Sequence, residues 1–205
     1  MLATGSSAVE PHRAVRHFAV ALACGAFASA LLMVVLLGVR PDLGQAVLLP
    51  MFWVKFAYVA SLALTSAIVA MRLSRPGRTL GRIPSALAVP VLGMWMLAAF
   101  VFASADPAER RLLLFGGTPT TCPLFIAMLS LPVFLAASLA MKRLAPTRLR
   151  LAGGGAGLGS GWLGALVYSW HCQEMAAPFL GIWYLLGVLI PTCVGALLGP
   201  RLLRW

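Results

Sequence analysis

The 205-residue chain is 61% hydrophobic and 10% charged, with a formal net charge of +11 and a mean hydropathy of +0.94. A soluble domain carries about 25% charged residues, so this chain has too little polar surface to coat a water-soluble globule. It reads as an all-α integral membrane protein, because its apolar blocks run near twenty residues and none alternates at the period of two that a barrel strand needs.

In chain order the predicted elements are a short tail over residues 1–17, then six transmembrane helices at Phe18–Gly38, Phe52–Met71, Ile83–Ala105, Cys122–Met141, Leu151–Trp170 and Phe179–Gly199, and a C-terminal stub over 200–205. Each block meets the ~20 residues needed to cross ~30 Å of hydrocarbon at 1.5 Å per residue. The links are short, and none is long enough to fold alone. The first block starts late for a signal peptide and has no clear A-x-A cleavage site, so it is expected to stay as an anchor.

Lys and Arg set the orientation. One side carries Arg13 and Arg16 in the tail, Arg72, Arg75, Arg78 and Arg82 in the second link, Lys142, Arg143, Arg148 and Arg150 in the fourth, and Arg201 and Arg204 at the end. The other side has Arg40, Arg110 and Arg111 with four of the five acidic residues, Asp42, Asp106, Glu109 and Glu174. The positive-inside rule then predicts both termini in the cytoplasm. Topology alone accounts for the high net charge, so no direct nucleic-acid partner is inferred.

Within this frame several residues draw attention. Trp53 reads as an interfacial anchor, and Lys55 one turn below it is expected to snorkel outward. Pro90, Pro132 and Pro191 interrupt spans and are read as shape only. The block 151–170 holds seven glycines, and Gly153, Gly157, Gly161, Ala165 and Ser169 recur every four residues. Such a line lets a second backbone approach closely; the fourth or sixth span is the expected neighbour, with a homodimer as the other use.

Chemistry concentrates in two cysteines. Cys122 opens the fourth span, and Cys172 lies just past the fifth, in His171-Cys172-Gln173-Glu174. The ends of one helical hairpin share a depth, so both thiols are expected near the outer interface. Three readings stand side by side: a structural disulfide, a soft-metal site in which His171 or Glu174 completes the shell, and a redox-sensing thiol pair. Cys24 and Cys193 fall inside spans and read as small apolar residues. No P-loop, G-x-G-x-x-G, H-E-x-x-H, G-x-S-x-G or C-x-x-C occurs, so no enzyme is indicated. A small membrane transporter or metal-efflux component is the rival reading, but the spans offer Ser, Thr and Gly where ionisable groups would line a path.

The stretches Leu129-Ser130-Leu131-Pro132, Ala145-Pro146-Thr147, Ala152-Gly153, Tyr168-Ser169-Trp170-His171-Cys172-Gln173-Glu174, Trp183-Tyr184-Leu185-Leu186-Gly187 and Arg201-Leu202-Leu203-Arg204-Trp205, with Arg40-Pro41-Asp42-Leu43 and Phe52-Trp53-Val54-Lys55 upstream, resemble the NrsF family. Those are six-span inner-membrane anti-sigma factors that restrain extracytoplasmic-function (ECF) sigma factors. The resemblance runs from about Arg13 onward. It implies that Cys122 and Cys172 are a periplasmic pair sensing heavy metal or oxidative stress, with His171 and Glu174 as auxiliary ligands. It implies no constitutive cofactor, a thiophilic metal ion bound transiently at most, and an ECF sigma factor held through the tail and the basic links. This chain departs from the pattern at Gln173 and Met175, where proline and aspartate are expected, and it lacks the tryptophan often found before the first cysteine.

Overall fold

The computed structural model describes the backbone of residues 11–75 and 81–204, with side chains from residue 15 onward. All regular structure among the described residues is helical. The helices are α1 Pro11–Leu36, α2 Leu43–Ala46, α3 Pro50–Leu73, α4 Ile83–Ser104, α5 Pro107–Phe115, α6 Thr121–Lys142 and α7 Leu149–Tyr168, followed by α8 Ala177–Leu202. Proline occupies the first turn of α3, α4 and α5 and of α8, where its missing N–H would have no intrahelical partner anyway.

Five helical segments are long and apolar enough to cross a membrane: Val15–Leu36, Pro50–Leu73, Ile83–Ser104, Thr121–Lys142 and Ala177–Leu202. The predicted span Leu151–Trp170 corresponds to α7, which is long enough at 20 residues but less apolar than those five. Its glycines add no hydrocarbon, and Arg150 lies in its first turn. The helix α1 begins at Pro11, within the stretch 1–17 read as a tail.

Two helices arise where plain links were expected. In α5, Asp106 stands at the N-cap position, Pro107 follows in the first turn with Glu109 behind it, and Gly116 closes the helix at φ 52°. These are the start and stop signals of a short helix. The second, α2, is a single turn after Asp42.

The bundle is turned inside out relative to a soluble protein. Phe27, Leu31 and Val35 on α1, Leu64 on α3, Met96 and Phe100 on α4, Leu135 and Leu139 on α6, and Leu197 on α8 all point outward. An exposed apolar belt of this extent is stable against lipid and not against water.

At the centre sits α7, packed against α3, α6 and α8. Its glycines serve three neighbours. A Cβ on Gly153 would strike the carbonyl oxygen of Gly195, one on Gly157 the carbonyl oxygen of Pro191, and one on Gly161 would come within 2.9 Å of Val188. On the other faces, Gly164 lies against Ser130 and Ile126 of α6, and Gly155 against Leu73 and Ala70 of α3. The every-fourth-residue stripe is thus filled by α8, the sixth predicted span, within the same chain. Van der Waals contact of two backbones replaces the hydrophobic drive that is absent in lipid.

The helices alternate in direction, as the antiparallel series of contacts Gly153–Gly195, Gly157–Pro191 and Gly161–Val188 illustrates. Cys122, Cys172 and the links holding Arg40 and Glu174 therefore gather at one end. The other end gathers the last turns of α3, α6 and α8 with the first turns of α4 and α7.

One irregularity shapes the thiol end. The chain forms a π-helical turn over Leu180–Tyr184 inside α8. Such turns break the regular i→i−4 ladder and often mark functional sites. The Trp95 indole N–H donates to the Gly181 carbonyl at 3.0 Å, and Tyr184 is directed into the cluster around the thiols.

Candidate functional site

After Tyr168 the chain folds back under the end of α7. The His171 and Cys172 amides both donate to the Tyr168 carbonyl at 2.9 Å, which turns the Cys172 side chain inward. On α6 the Cys122 amide donates to the Thr118 carbonyl at 3.1 Å, placing Cys122 in the first turn and facing the bundle axis. Cys122 is 0% and Cys172 3% exposed. The two thiols lie in one core cluster with Trp162, Tyr168 and Tyr184. Both are free cysteines in this structure, while Cys24 and Cys193 lie on the exterior.

Two buried cations converge on the same point. Arg40 is 5% exposed and grips Asp42 bidentately, Nε and one terminal nitrogen donating at 2.8 and 2.7 Å. Its other terminal nitrogen donates to the Cys172 carbonyl at 3.3 Å, and its amide donates to the Trp170 carbonyl at 3.1 Å. Pairing raises Arg40 and lowers Asp42 from their ordinary values. Lys55 does not snorkel outward: it is 1% exposed. Its Nζ donates to the carbonyls of Cys172 at 2.8 Å and Glu174 at 2.9 Å and lies 5.4 Å from the centre of the Tyr184 ring. The snorkelling expectation fails because the 172–174 loop brings carbonyl acceptors down to the ammonium, so it need not reach water.

These contacts fix the electrostatics of Cys172. The neighbouring Cys122 thiol and the nearby Lys55 side chain hold the Cys172 thiol below its ordinary value, against the upward push of burial.

The auxiliary residues are turned elsewhere. His171 Nδ1 shares a hydrogen bond of 2.9 Å with the Gly38 carbonyl, so it acts as the N–H donor. Glu174 Oε1 accepts from the Gly117 amide at 2.7 Å, and a Cβ at Gly116 would come within 2.6 Å of the same carboxylate. The glycines before α6 therefore wrap the Glu174 side chain. Among the described residues no group of three His, Cys, Asp or Glu side chains is arranged to hold a metal ion. Two sulfurs are what this conformation offers a thiophilic ligand.

At the opposite end the basic residues line the surface. Arg16, Arg72, Arg82, Lys142, Arg143, Arg148 and Arg150 are exposed, and Arg75 is half-buried. Arg78 and the side chain of Arg13 lie outside the described residues. A shallow cavity of about 420 Å³ lined by His17, Phe18, Ala140 and Arg143 opens between α1 and α6 at this end.

Sequence reasoning passed over Arg40 and Lys55 as site residues. The signal was present in Arg40-Pro41-Asp42, a bidentate pair at short spacing, and in a lysine placed where only hydrocarbon was expected.

Fold and site together define a helical, lipid-facing bundle with a buried thiol pair at one end and an arginine-rich surface at the other. The sequence model described as "NrsF: Negative regulator of sigma F" matches residues 2–205. The chain is 56% identical over 205 residues to the "Probable anti-sigma-F factor NrsF" of Azospira oryzae, covering 100% of this chain and 96% of that protein. It is 40% identical over 192 residues to the "Anti-sigma-F factor NrsF" of Caulobacter vibrioides, covering 93% and 89%. The chain belongs to the NrsF family. No solved structure matches it.

Proposed function

We propose that this protein is a six-span inner-membrane anti-sigma factor, both termini cytoplasmic, that holds an ECF sigma factor at its basic end. It releases that partner when Cys122 and Cys172 react with a thiophilic metal or an oxidant. In this reading α7 is the sixth membrane-crossing helix, shielded from lipid by its neighbours and so free to be rich in glycine.

One observation carries the reading: the two thiols share one buried cluster at one end of α6 and α7, whose other ends bear Lys142, Arg143, Arg148 and Arg150. Joining the sulfurs, by a bridging metal or by oxidation to a disulfide with loss of two protons and two electrons to the oxidant, would fix the relative position of these helices. A ligand moves such an equilibrium only by its differential affinity for the two states. Turning a 1:99 mixture into 99:1 takes about 5.5 kcal/mol, within reach of thiolate–metal bonding, since structural zinc sites reach about 10–16 kcal/mol. The lack of a third ligand in the resting state favours a signal that two sulfurs alone can take.

The test is affinity capture of the tagged protein from mildly solubilised membranes of cells expressing the sigma factor. Recovery of that sigma factor in stoichiometric amount supports the proposal. Its absence overturns it and moves the weight to a transporter or a purely structural membrane protein.

A further inference from the structure

The basic end holds a feature that the sigma-factor reading leaves unused, the slot between α1 and α6. Deeper in the bundle these two helices are closed on each other. The Ser29 hydroxyl donates to the Leu129 carbonyl at 2.7 Å. One turn on, a Cβ at Gly25 would lie 2.7 Å from the Cα of Val133 and 3.2 Å from the Ala136 side chain. Toward the basic end a cavity of about 420 Å³ separates them. Ala21 and Ala140, whose methyl groups are too small to fill it, form its walls with Leu139. Phe18 is buried at its floor, and the exposed His17 and Arg143 stand at its mouth.

Position, polarity and charge each narrow what can fill this slot. It opens on the lipid-facing surface, because Leu135 and Leu139 of α6 are both exposed, so its occupant comes from the bilayer. Its walls are apolar along their length, while the mouth offers the N–H donors of a guanidinium and an imidazole. Among the described residues no carboxylate pairs with Arg143, His17 or the adjacent Arg16. The mouth also lies at headgroup depth. His17 is in the first turn of the apolar segment Val15–Leu36, and Arg143 directly follows the segment Thr121–Lys142.

We propose that the slot between α1 and α6 binds an anionic phospholipid, its phosphate held by Arg143 and His17 and its acyl chain lying along Ala21, Ala140 and Leu139. The planar guanidinium can donate two parallel hydrogen bonds to phosphate oxygens. Basic pockets between membrane helices favour headgroups of net negative charge. A zwitterionic headgroup would bring its own ammonium among Arg16, Lys142 and Arg143. A free phosphate would leave the apolar walls empty, so the ligand is a lipid and not a soluble anion. The site needs only a membrane surface at this end, and it stands apart from the sensing and release proposed above.

The experiment uses the full-length protein in a nonionic detergent, mixed with equal amounts of phosphatidylglycerol and phosphatidylcholine of identical acyl chains. Native mass spectrometry then counts which lipid each protein molecule keeps. Phosphatidylglycerol should be kept in preference, one molecule first. Arg143→Gln should weaken its retention about fivefold, the effect of one basic residue beside an anionic headgroup. Ala140→Leu, which leaves every charge in place and fills the slot, should weaken it at least as much. Arg201→Gln, which removes one charge from the same end but outside the slot, should leave it unchanged. Equal retention of the two lipids, or an Arg201→Gln loss as large as that of Arg143→Gln, would overturn the proposal. So would displacement of the lipid by inorganic phosphate, the mark of a site for a soluble anion. Retention that appears only after residues 2–10 are deleted would assign the slot to the tail, and a dimer abolished by Ala140→Leu would assign it to a second copy; either overturns the proposal. The lipid preference is read on the unaltered sequence, so it decides the matter even if Ala140→Leu does not fold.

Discussion

At the thiol end, Arg40, Lys55, Asp42 and Glu174 are each tied by hydrogen bonds to groups far along the chain or across a turn. At the other end, Arg16, Arg82, Lys142, Arg143, Arg148 and Arg150 stand exposed. The first arrangement fixes atoms: two sulfurs are held in one orientation by charge and backbone contacts inside a low-dielectric core. The second presents a field to whatever approaches from the aqueous side. The proposed sensor needs geometry and the proposed docking surface needs charge, and the glycine seam between α7 and α8 runs between the two ends.

Substitutions can sharpen or break this contrast. The largest effect is expected at the seam. Gly157→Leu places side-chain atoms where the Pro191 carbonyl lies, and overpacking against backbone costs on the order of 3 kcal/mol or more. Thermal unfolding in detergent should show loss of the folded protein. Gly93→Ala in α4 is the control. Nothing lies within 4 Å of its Cβ position, and alanine should be neutral or stabilising by about 0.5–1 kcal/mol.

Arg40→Gln comes next. It removes a bidentate ion pair and a donor to the Cys172 carbonyl, a loss of about 1.5–3 kcal/mol for hydrogen bonds to a charged group. The expected readout is faster maleimide labelling of Cys172 with the rest of the bundle intact. Arg148→Ala with Arg150→Ala should do the reverse. Stability should stay within about 0.5 kcal/mol, the cysteine labelling profile should not move, and capture of the sigma factor should weaken, more so as salt rises.

The smallest effect concerns pH. The carboxyl of Asp42 is lowered by pairing with Arg40, so the support it gives the loop is complete above the ordinary carboxylate value and fades as pH falls through the depressed one. Mild acid should leave Cys172 accessibility unchanged, and stronger acid should increase it. Asp42→Asn should show the increased accessibility at every pH.

How much of this was legible in the sequence differs between the two ends. Apolar blocks of helical length are a local property, so the helices were found to within a few residues. The start of α1 at Pro11 and the length of α8 lay beyond the apolar runs themselves. The recurrence of Gly153, Gly157 and Gly161 marked a close backbone approach, and α8 supplies the second backbone. The charge map of the basic end needed only a count of arginines. The thiol end was harder, because its decisive contacts are long-range. Nothing near Lys55 in the chain hints that carbonyls of residues 172 and 174 will reach it, and hydrophobic context made an outward-reaching lysine the natural inference. Glu174 was offered to a metal because it follows Cys172, yet Gly117, which opens toward it, lies before α6. The helix α5 was written in Asp106, Pro107 and Gly116 but passed over because its nine residues are too few to span a bilayer.

The central claim is that chemistry at Cys122 and Cys172 controls what is held at the opposite end. The most direct measurement loads the protein with its sigma factor in membranes, adds a thiol-specific oxidant or a thiophilic metal salt, and measures the sigma factor released to the soluble fraction. The account predicts release from the parent protein and full retention by the Cys122→Ser/Cys172→Ser variant under the same treatment. Equal release from both would contradict it.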